Sequence, residues 1–451
     1  MTSLSLGGYM SNQKYEPVIG LEMHVELNTK SKMFCRCSAD YFGREPNTHT
    51  CPICLGLPGA LPYINKVAIE DCIKIGLALN CTVSEKSLFE RKNYFYPDLP
   101  KGYQISQYRW PLCVNGWIEV DDGDGNKRKI RINRAHQEED TGKLTHSGGV
   151  TLIDFNRSGV PLVEIVTEPD FHDVDTVRNY AKKLQRLFRY LGVSNADMER
   201  GDMRLEANVS VRPVGQKELP GYRVELKNIN SFRFMVAAIE YEIKRQIKEL
   251  EEGWTLKQET RGWDEDKKST YLQRSKEEAH DYRYFPEPDL PEIRMKSDEI
   301  GKIRKSLPEL SWDKQNRFIE EYGVKKSDAE ILTELTELAE FFEVTVEHGK
   351  KHGVEAKAVA NYIVNKKPDI SVVLPTQIIE ELKGKKVGVI ENMGELGELA
   401  DEVISENPAM VGVYKKGKVT VIQVLIGAIM RKTGGKVNPN KIREILKEKL
   451  R

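Results

Sequence analysis

The sequence predicts an α+β protein: a large N-terminal domain built on a mainly antiparallel sheet, then a helical domain, then a small helical tail. Three observations carry this. Short alternating apolar/polar runs fill the chain from Tyr15 to about Pro291, mixed with helices but without strict alternation. Two segments among them repeat apolar residues every three or four positions. After Pro291 aromatics thin out and Glu, Lys and Leu rise in helical patterns up to about Pro375, where a further break, Pro375 to Lys386, precedes a basic tail. The expected domains are 1–293, 294–375 and 376–451. At 451 residues the chain exceeds one ordinary core, given ~100–200 residues per domain.

The runs Pro17–Glu26, Lys127–Arg134 and Val160–Thr167 alternate as strands do, and Arg204–Arg212 and Tyr222–Asn228 are strand-like. Val177, Tyr180, Leu184, Leu187 and Leu191 mark one helix, with Gly192 placed to end it. Met235, Ile239, Ile243, Ile247 and Leu250 mark a second, stopped by Gly253.

Charged residues make up 31% of the chain, and mean hydropathy is negative. The longest apolar stretch, Val419 to Met430, is broken by Gln423 and Gly427 and falls short of the ~18 residues a membrane span needs. Met1 to Pro17 lacks the basic start and apolar run of a signal peptide and reads as a frayed leader. Seven cysteines, clustered and odd in number, argue against a disulfide framework and for a reducing, cytoplasmic setting. Net charge is zero, but Lys415 to Arg451 holds eleven Lys and Arg against Glu444 and Glu448. That stretch suits either a phosphate backbone or a solvated helix face.

Cys35-x-Cys37 and Cys51-Pro-Ile-Cys54, thirteen residues apart, offer four thiolates in two tight pairs, the donor set of a structural Zn²⁺. His49 is the alternative ligand to one of the sulfurs. The bland alternative is four unligated thiols. Cys72 lies in the apolar repeat of Val67, Ala68, Ile69, Ile73 and Leu77 and reads as core.

No G-x-x-x-x-G-K-[ST] or G-x-G-x-x-G occurs, so residue patterns alone give no nucleotide site. Carboxylates beside apolar strand residues stand out instead. Glu22, His24 and Glu26 share one strand face, which is either the wet side of a sheet or a metal-binding wall. His136-Gln-Glu138-Glu139-Asp140 is a second acidic patch, and Glu206 and Glu225 lie in strand-like runs. Mg²⁺ seeks such oxygens. The segment from Arg91 to Gln104, with Lys92, Tyr94, Tyr96 and Lys101, is a rigid packed loop or a surface for stacking a base and neutralising phosphate.

Four long strings, KNYFYPDLPKGYQISQ (Lys92–Gln107), CPICLGLPGALP (Cys51–Pro62), IDFNRSGVPLVEI (Ile153–Ile165) and EEAHDYRYFPEPDLP (Glu277–Pro291), closely resemble the B-subunit (GatB) family of the Glu-tRNA(Gln)/Asp-tRNA(Asn) amidotransferases. NPNKIREILKEKL (Asn438–Leu450) resembles the family's tail, so the likeness runs from about Glu16 to the C-terminus. It implies a cradle akin to the catalytic fold of glutamine synthetase, a helical domain, and a YqeY-like tail that meets tRNA. It implies transfer of the γ-phosphate of ATP to the side-chain carboxylate of the misacylated tRNA, followed by amidation with ammonia.

Carried over by position, the resemblance assigns Glu22, His24, Glu138, Glu206 and Glu225 to Mg²⁺, expected around one ion-sized gap. Glu138, Lys92 and Lys101 become catalytic candidates, and Tyr94 and Tyr96 nucleotide neighbours. Glu206 stands where bacterial members often carry Asp and reaches roughly 1.5 Å further, which leaves direct ligation open. The chain carries no amidase-like Gly/Ser-rich stretch and no Gly-x-Cys-x-Gly turn. Ammonia is therefore expected from a partner amidase, the family's A subunit, in a heterotrimer that the small C subunit completes. Two rival readings are a non-enzymatic zinc-containing RNA-binding protein and the archaeal glutamine-specific paralogue, which carries an extra inserted domain.

Overall fold

The computed structural model describes residues 14–275, 282–383, 393–415, 421–433 and 437–450. The leader before residue 14, part of the 277–291 string, residues 384–386 of the expected break, and Lys416, Lys418, Lys436 and Arg451 of the basic tail lie outside the described residues. The chain divides into two compact units, Met1–Leu307 and Pro308–Arg451. Beyond residue 293 the chain still belongs to the first unit, because a short strand and a helix there pack back onto it.

In the first unit the elements run β1 (Tyr15–Glu26), α1 (Lys66–Ala78), β2 (Thr82–Val83), β3 (Lys86–Ser87), β4 (Glu90–Asn93), β5 (Tyr103–Ser106), β6 (Cys113–Asp121) and β7 (Lys127–Glu139). There follow β8 (Lys143–Ser147), β9 (Val150–Asp154), β10 (Pro161–Thr167), α2 (Val174–Tyr190), β11 (Met203–Pro213), β12 (Val224–Ile229) and α3 (Phe232–Glu251). The unit closes with β13 (Glu259–Asp264), β14 (Ser269–Ser275), β15 (Phe285–Pro286), β16 (Ile293–Arg294) and α4 (Ser297–Lys305).

Nine strands form one sheet in the order β14-β13-β12-β11-β1-β10-β7-β6-β2. Every neighbouring pair is antiparallel except β12–β13. That exception follows from α3, which carries the chain from β12 back to the same edge as a crossover. β16 pairs with β3 and α4 packs on α1, which keeps this segment with the first unit.

One face of the sheet is apolar. Leu21, Met23 and Val25 of β1 are buried with Leu205, Ala207 and Val209 of β11 and Val163 and Ile165 of β10. Burial of this kind contributes about 25 cal/mol per Å² of apolar surface. Helix α3 packs on β11. Asp173 caps α2 by accepting from Thr176 N at 2.6 Å, and Ser231 caps α3 through Phe234 N at 3.2 Å. Gly192 and Gly253 take positive φ (63° and 85°) just past the ends of these helices.

The second unit is helical: α5 (Ser311–Tyr322), α6 (Lys326–Leu332), α7 (Thr336–Lys351), α8 (Ala356–Lys366), α9 (Pro375–Leu382), α10 (Met393–Glu406), α11 (Pro408–Lys415), α12 (Ile422–Lys432) and α13 (Pro439–Lys449). It has two hydrophobic clusters. Phe318, Phe342, Val346, Ile363 and Ile378 belong to one; Leu396, Val403, Leu425, Ile429, Ile442 and Leu446, joined by Val344 of α7, belong to the other. Pro375 begins α9 where a break was expected, since a proline at the first helical position has no N–H to lose. In the tail, Lys432 pairs with Glu402 and Glu406 and Lys449 with Asp401, which tempers its basic character.

Candidate functional site

Strand pairing places a polar wall on the face opposite the apolar one. Glu22 lies opposite Glu206, and His24 lies between Arg204 of β11 and Glu164 of β10. Glu164 lies opposite His136, Leu162 opposite Glu138, and Glu225 opposite Asn208. Because directly paired residues share a face, β12, β11, β1, β10 and β7 all contribute side chains to one surface.

The five carboxylate and imidazole positions expected to share one gap divide into two neighbouring clusters. His24, Glu138 and Glu164 have donor atoms within 4.8 Å of one another; so do Glu22, Glu206 and Glu225. The division follows from the pleat: Glu22 and His24 are two residues apart on β1, roughly 6.7 Å, so each meets a different neighbour. Glu164 is a member the sequence reading missed. Its signal was a single Glu inside the apolar run Pro161–Val166, where a lone charge in a central strand needs a reason.

Neighbouring side chains hold the carboxylates, and His136 and Lys227 each reach two of them. Glu138 accepts from Ser106 Oγ and from Gln104 Nε2 (3.2 Å), and His136 Nε2 lies 3.4 Å from Glu138 and 3.0 Å from Glu164. Burial opposes the charge on Glu138 and Glu164. Lys92 nonetheless holds Glu138 below the usual range, and His136 holds Glu164 well below it. Burial likewise disfavours charged His136, yet Glu164 and Glu138 push its pKa up.

In the second cluster Asn208 Nδ2 donates to Glu22 at 2.9 Å, and Lys227 Nζ lies 2.8 Å from Glu206 and 3.2 Å from Glu225. Burial, then the like charges of Glu164 and Glu206, raise the Glu22 pKa; Lys227 outweighs burial at Glu206 and lowers it.

Lys92 of β4 is partly buried over the rings of Tyr282 (5.1 Å) and Tyr94 (5.8 Å). Burial works against its charge, but Glu138 leads the groups that raise its pKa, which ties Lys92 to the first cluster. Lys101 is placed differently. Its ammonium is taken up by Glu139, which also accepts from Ile105 N at 2.9 Å. Tyr94 OH donates to Gln104 Oε1 at 3.3 Å, two links from Glu138, whereas Tyr96 is 60% exposed and Phe95 89%.

The four cysteine sulfurs Cys35, Cys37, Cys51 and Cys54 lie within 4.8 Å of one another, and His49 is not part of the group. A hydrogen bond with Cys35, against burial and helped by Lys32, lowers Cys54 to about 5; burial pushes Cys37 up to about 11. A tetrathiol cluster of this size suits Zn²⁺. Cys72 of α1 and Cys81 and Cys113 beside that helix are buried in the core. Among the described residues no helix is long and apolar enough to cross a membrane.

Comparison with known proteins shows the family of the chain. Residues 17–301 match the family model of the GatB/GatE catalytic domain, and residues 315–450 that of the GatB domain. The B subunit of an aspartyl/glutamyl-tRNA(Asn/Gln) amidotransferase from Carboxydothermus hydrogenoformans is 45% identical over 97% of this chain and 99% of its own. Its namesakes from Thermoanaerobacter pseudethanolicus (48%, covering 97% and 99%) and Persephonella marina (44%, covering 97% and 100%) are similarly related. The chain belongs to the GatB family, the B subunits of the tRNA-dependent amidotransferases.

Proposed function

We propose that this chain activates the side-chain carboxylate of Glu-tRNA(Gln) or Asp-tRNA(Asn) by phosphorylation from ATP and hosts its amidation. Ammonia comes from the amidase, or A, subunit of a heterotrimer in which the small C subunit is the third member. The observation that carries the proposal is the polar face of the sheet, which gathers two three-residue acidic clusters with Lys92, Lys227 and Arg204 among them. We read that surface as the floor of a cradle like the catalytic fold of glutamine synthetase.

The chemistry explains why such a floor is wanted. Ammonia does not usefully attack a carboxylate, whose oxide leaves poorly and whose charge repels nucleophiles. Phosphorylation gives a mixed anhydride with phosphate as leaving group, but it first requires two anions to meet.

The residues fit divalent metal. Five carboxylates are hard oxygen donors, joined by one imidazole, and the Lys227 ammonium already occupies a cation position between Glu206 and Glu225. His24, Glu138 and Glu164 would hold one Mg²⁺ and Glu22, Glu206 and Glu225 another, and ions held there would supply charge neutralisation where phosphate and carboxylate must meet. The chain's own groups prepare this. His136 orients Glu138 and Glu164 together, Ser106 and Gln104 fix Glu138, and Asn208 fixes Glu22. Lys92 adds a positive charge beside the first cluster. The cysteine cluster fits a structural Zn²⁺.

A zinc-containing RNA-binding scaffold would leave the acidic face without a task. Glu138→Gln and Glu225→Gln, made in the assembled heterotrimer, test the proposal by ATP-dependent phosphorylation of Glu-tRNA(Gln). Lost turnover with retained tRNA binding is expected, and unchanged turnover overturns the metal assignment.

A further inference from the structure

Lys32 is fully buried. Its ammonium donates to the carbonyl oxygens of His49 (2.8 Å) and Phe155 (3.3 Å) and to Cys54 Sγ (3.8 Å). Among the described residues no carboxylate comes within ion-pair distance of it. An ammonium sealed from water is costly unless an opposite charge compensates it, and two carbonyl dipoles carry no net charge. The sulfur is the remaining partner. Cys54 Sγ accepts a second donor, the Cys51 N–H at 3.1 Å, and N–H groups aimed at a ligating atom are how metal centres are supported from outside. Four thiolates around one divalent ion leave two negative charges in excess, and on the buried side, at Cys35 and Cys54, water screens them poorly.

We propose that Lys32 is the built-in counter-charge of a tetrathiolate metal site formed by Cys35, Cys37, Cys51 and Cys54. By bonding His49 and Phe155 together, it also ties the cysteine loop to the 154–160 segment that leads into β10. Gly159 shows how close these parts lie. A Cβ there would sit 3.5 Å from Lys32 Cδ, 3.6 Å from Cys54 Cβ and 3.9 Å from Glu139 Oε2, so the knot abuts the carboxylate that holds Lys101. The inference rests on the structural-metal reading above and adds the residue that balances its charge.

The test uses the full chain loaded with Zn²⁺ or Co²⁺ and follows release to a chromogenic chelator and the cobalt–thiolate absorption. Lys32→Met is expected to release metal at least ~10-fold faster, with Lys32→Arg close to wild type. A second variant separates charge from packing. Adding Cys37→His to Lys32→Met removes one negative charge and is expected to slow release again. A group that merely fills space would gain nothing from that change. Wild-type release from Lys32→Met, or no recovery in the double variant, overturns the counter-charge role. A wild-type chain that takes up no cobalt overturns the metal reading and the inference with it.

Discussion

Glu164 and His136 face each other across the β7–β10 pair with Oε2 and Nε2 3.0 Å apart, and the same imidazole nitrogen reaches Glu138 at 3.4 Å. One ring therefore sets the spacing of two carboxylates on adjacent strands. Glu164→Gln keeps the shape but removes a charge from the first cluster. The expected result is a ~100-fold or greater loss of ATP-dependent phosphorylation and weaker Mn²⁺ binding, with tRNA affinity unchanged. Full turnover in this variant would remove Glu164 from the site.

Arg204 shares the wall, yet its guanidinium is bound 2.5 Å from Asp140, which Arg157 also approaches at 3.8 Å. Asp140 contacts Glu26, whose carboxyl burial and then the Asp140 charge push well above the ordinary range; Tyr41 OH donates to both Glu26 oxygens at 3.0 and 3.1 Å. A carboxyl whose charged form is disfavoured by burial and a neighbouring anion loses little when an amide of the same shape replaces it. Glu26→Gln is therefore expected to change unfolding free energy by less than about 1 kcal/mol. Asp140→Asn leaves two arginines without their anion and should cost about 2–3 kcal/mol, below the usual figure for a broken buried pair because Arg204 is a third exposed. Urea unfolding of both variants checks the contrast, and equal losses would contradict it.

The wall was only half legible in the sequence. Alternation alone put Glu22, His24 and Glu26 on one face, since a strand's period is two. Which carboxylates they meet depends on the register of β1 with β10 and β11, more than a hundred residues further along the chain, and of β10 with β7, and no local pattern encodes that. Glu164 was hidden for this reason, and so was the division into two clusters. Lys101 illustrates the converse. Resemblance made it a catalytic candidate beside Lys92; its ammonium is held by Glu139, the residue next to Glu138 whose side chain leaves the strand on the other side. The helices α2 and α3 were plain because their apolar stripes and glycine stops are local signals.

In the second unit Arg317 grips Glu309 with two hydrogen bonds, 2.8 and 2.7 Å, and reaches Glu343 at 2.7 Å. The Arg317 hydrogen bond, against burial, holds Glu309 below its usual pKa. A carboxyl depressed on folding contributes stability that is present above its unfolded pKa of about 4.3 and is lost as pH falls through the folded value. Glu309→Gln should therefore cost under about 1 kcal/mol at pH 7, since the carboxylate is a third exposed. The gap to wild type should close on acidification. Thermal unfolding between pH 3 and pH 7 measures it, and a gap that widens towards pH 3 would reverse the sign.

Gly76 of α1 lies so close to β6 that a Cβ there would sit 2.3 Å from Cys113 Sγ and 2.7 Å from Cys113 Cβ, both parts of a fully buried side chain. Helix propensity alone favours alanine over glycine by about 1 kcal/mol. Overpacking of a closed core costs typically ~1–3 kcal/mol and more when nothing can move, so the clash should win. Gly76→Ala is expected to destabilise the first unit. Cys113→Gly removes both blocking atoms, at a cost of its own in the strand, and the double variant should be more stable than the sum of the two single losses predicts. A double-mutant cycle by urea unfolding reads this directly: a favourable coupling of at least ~1 kcal/mol locates the strain at the helix–strand contact. Additive effects would mean that α1 shifts to accommodate the methyl group, and the close approach would then not be what requires glycine.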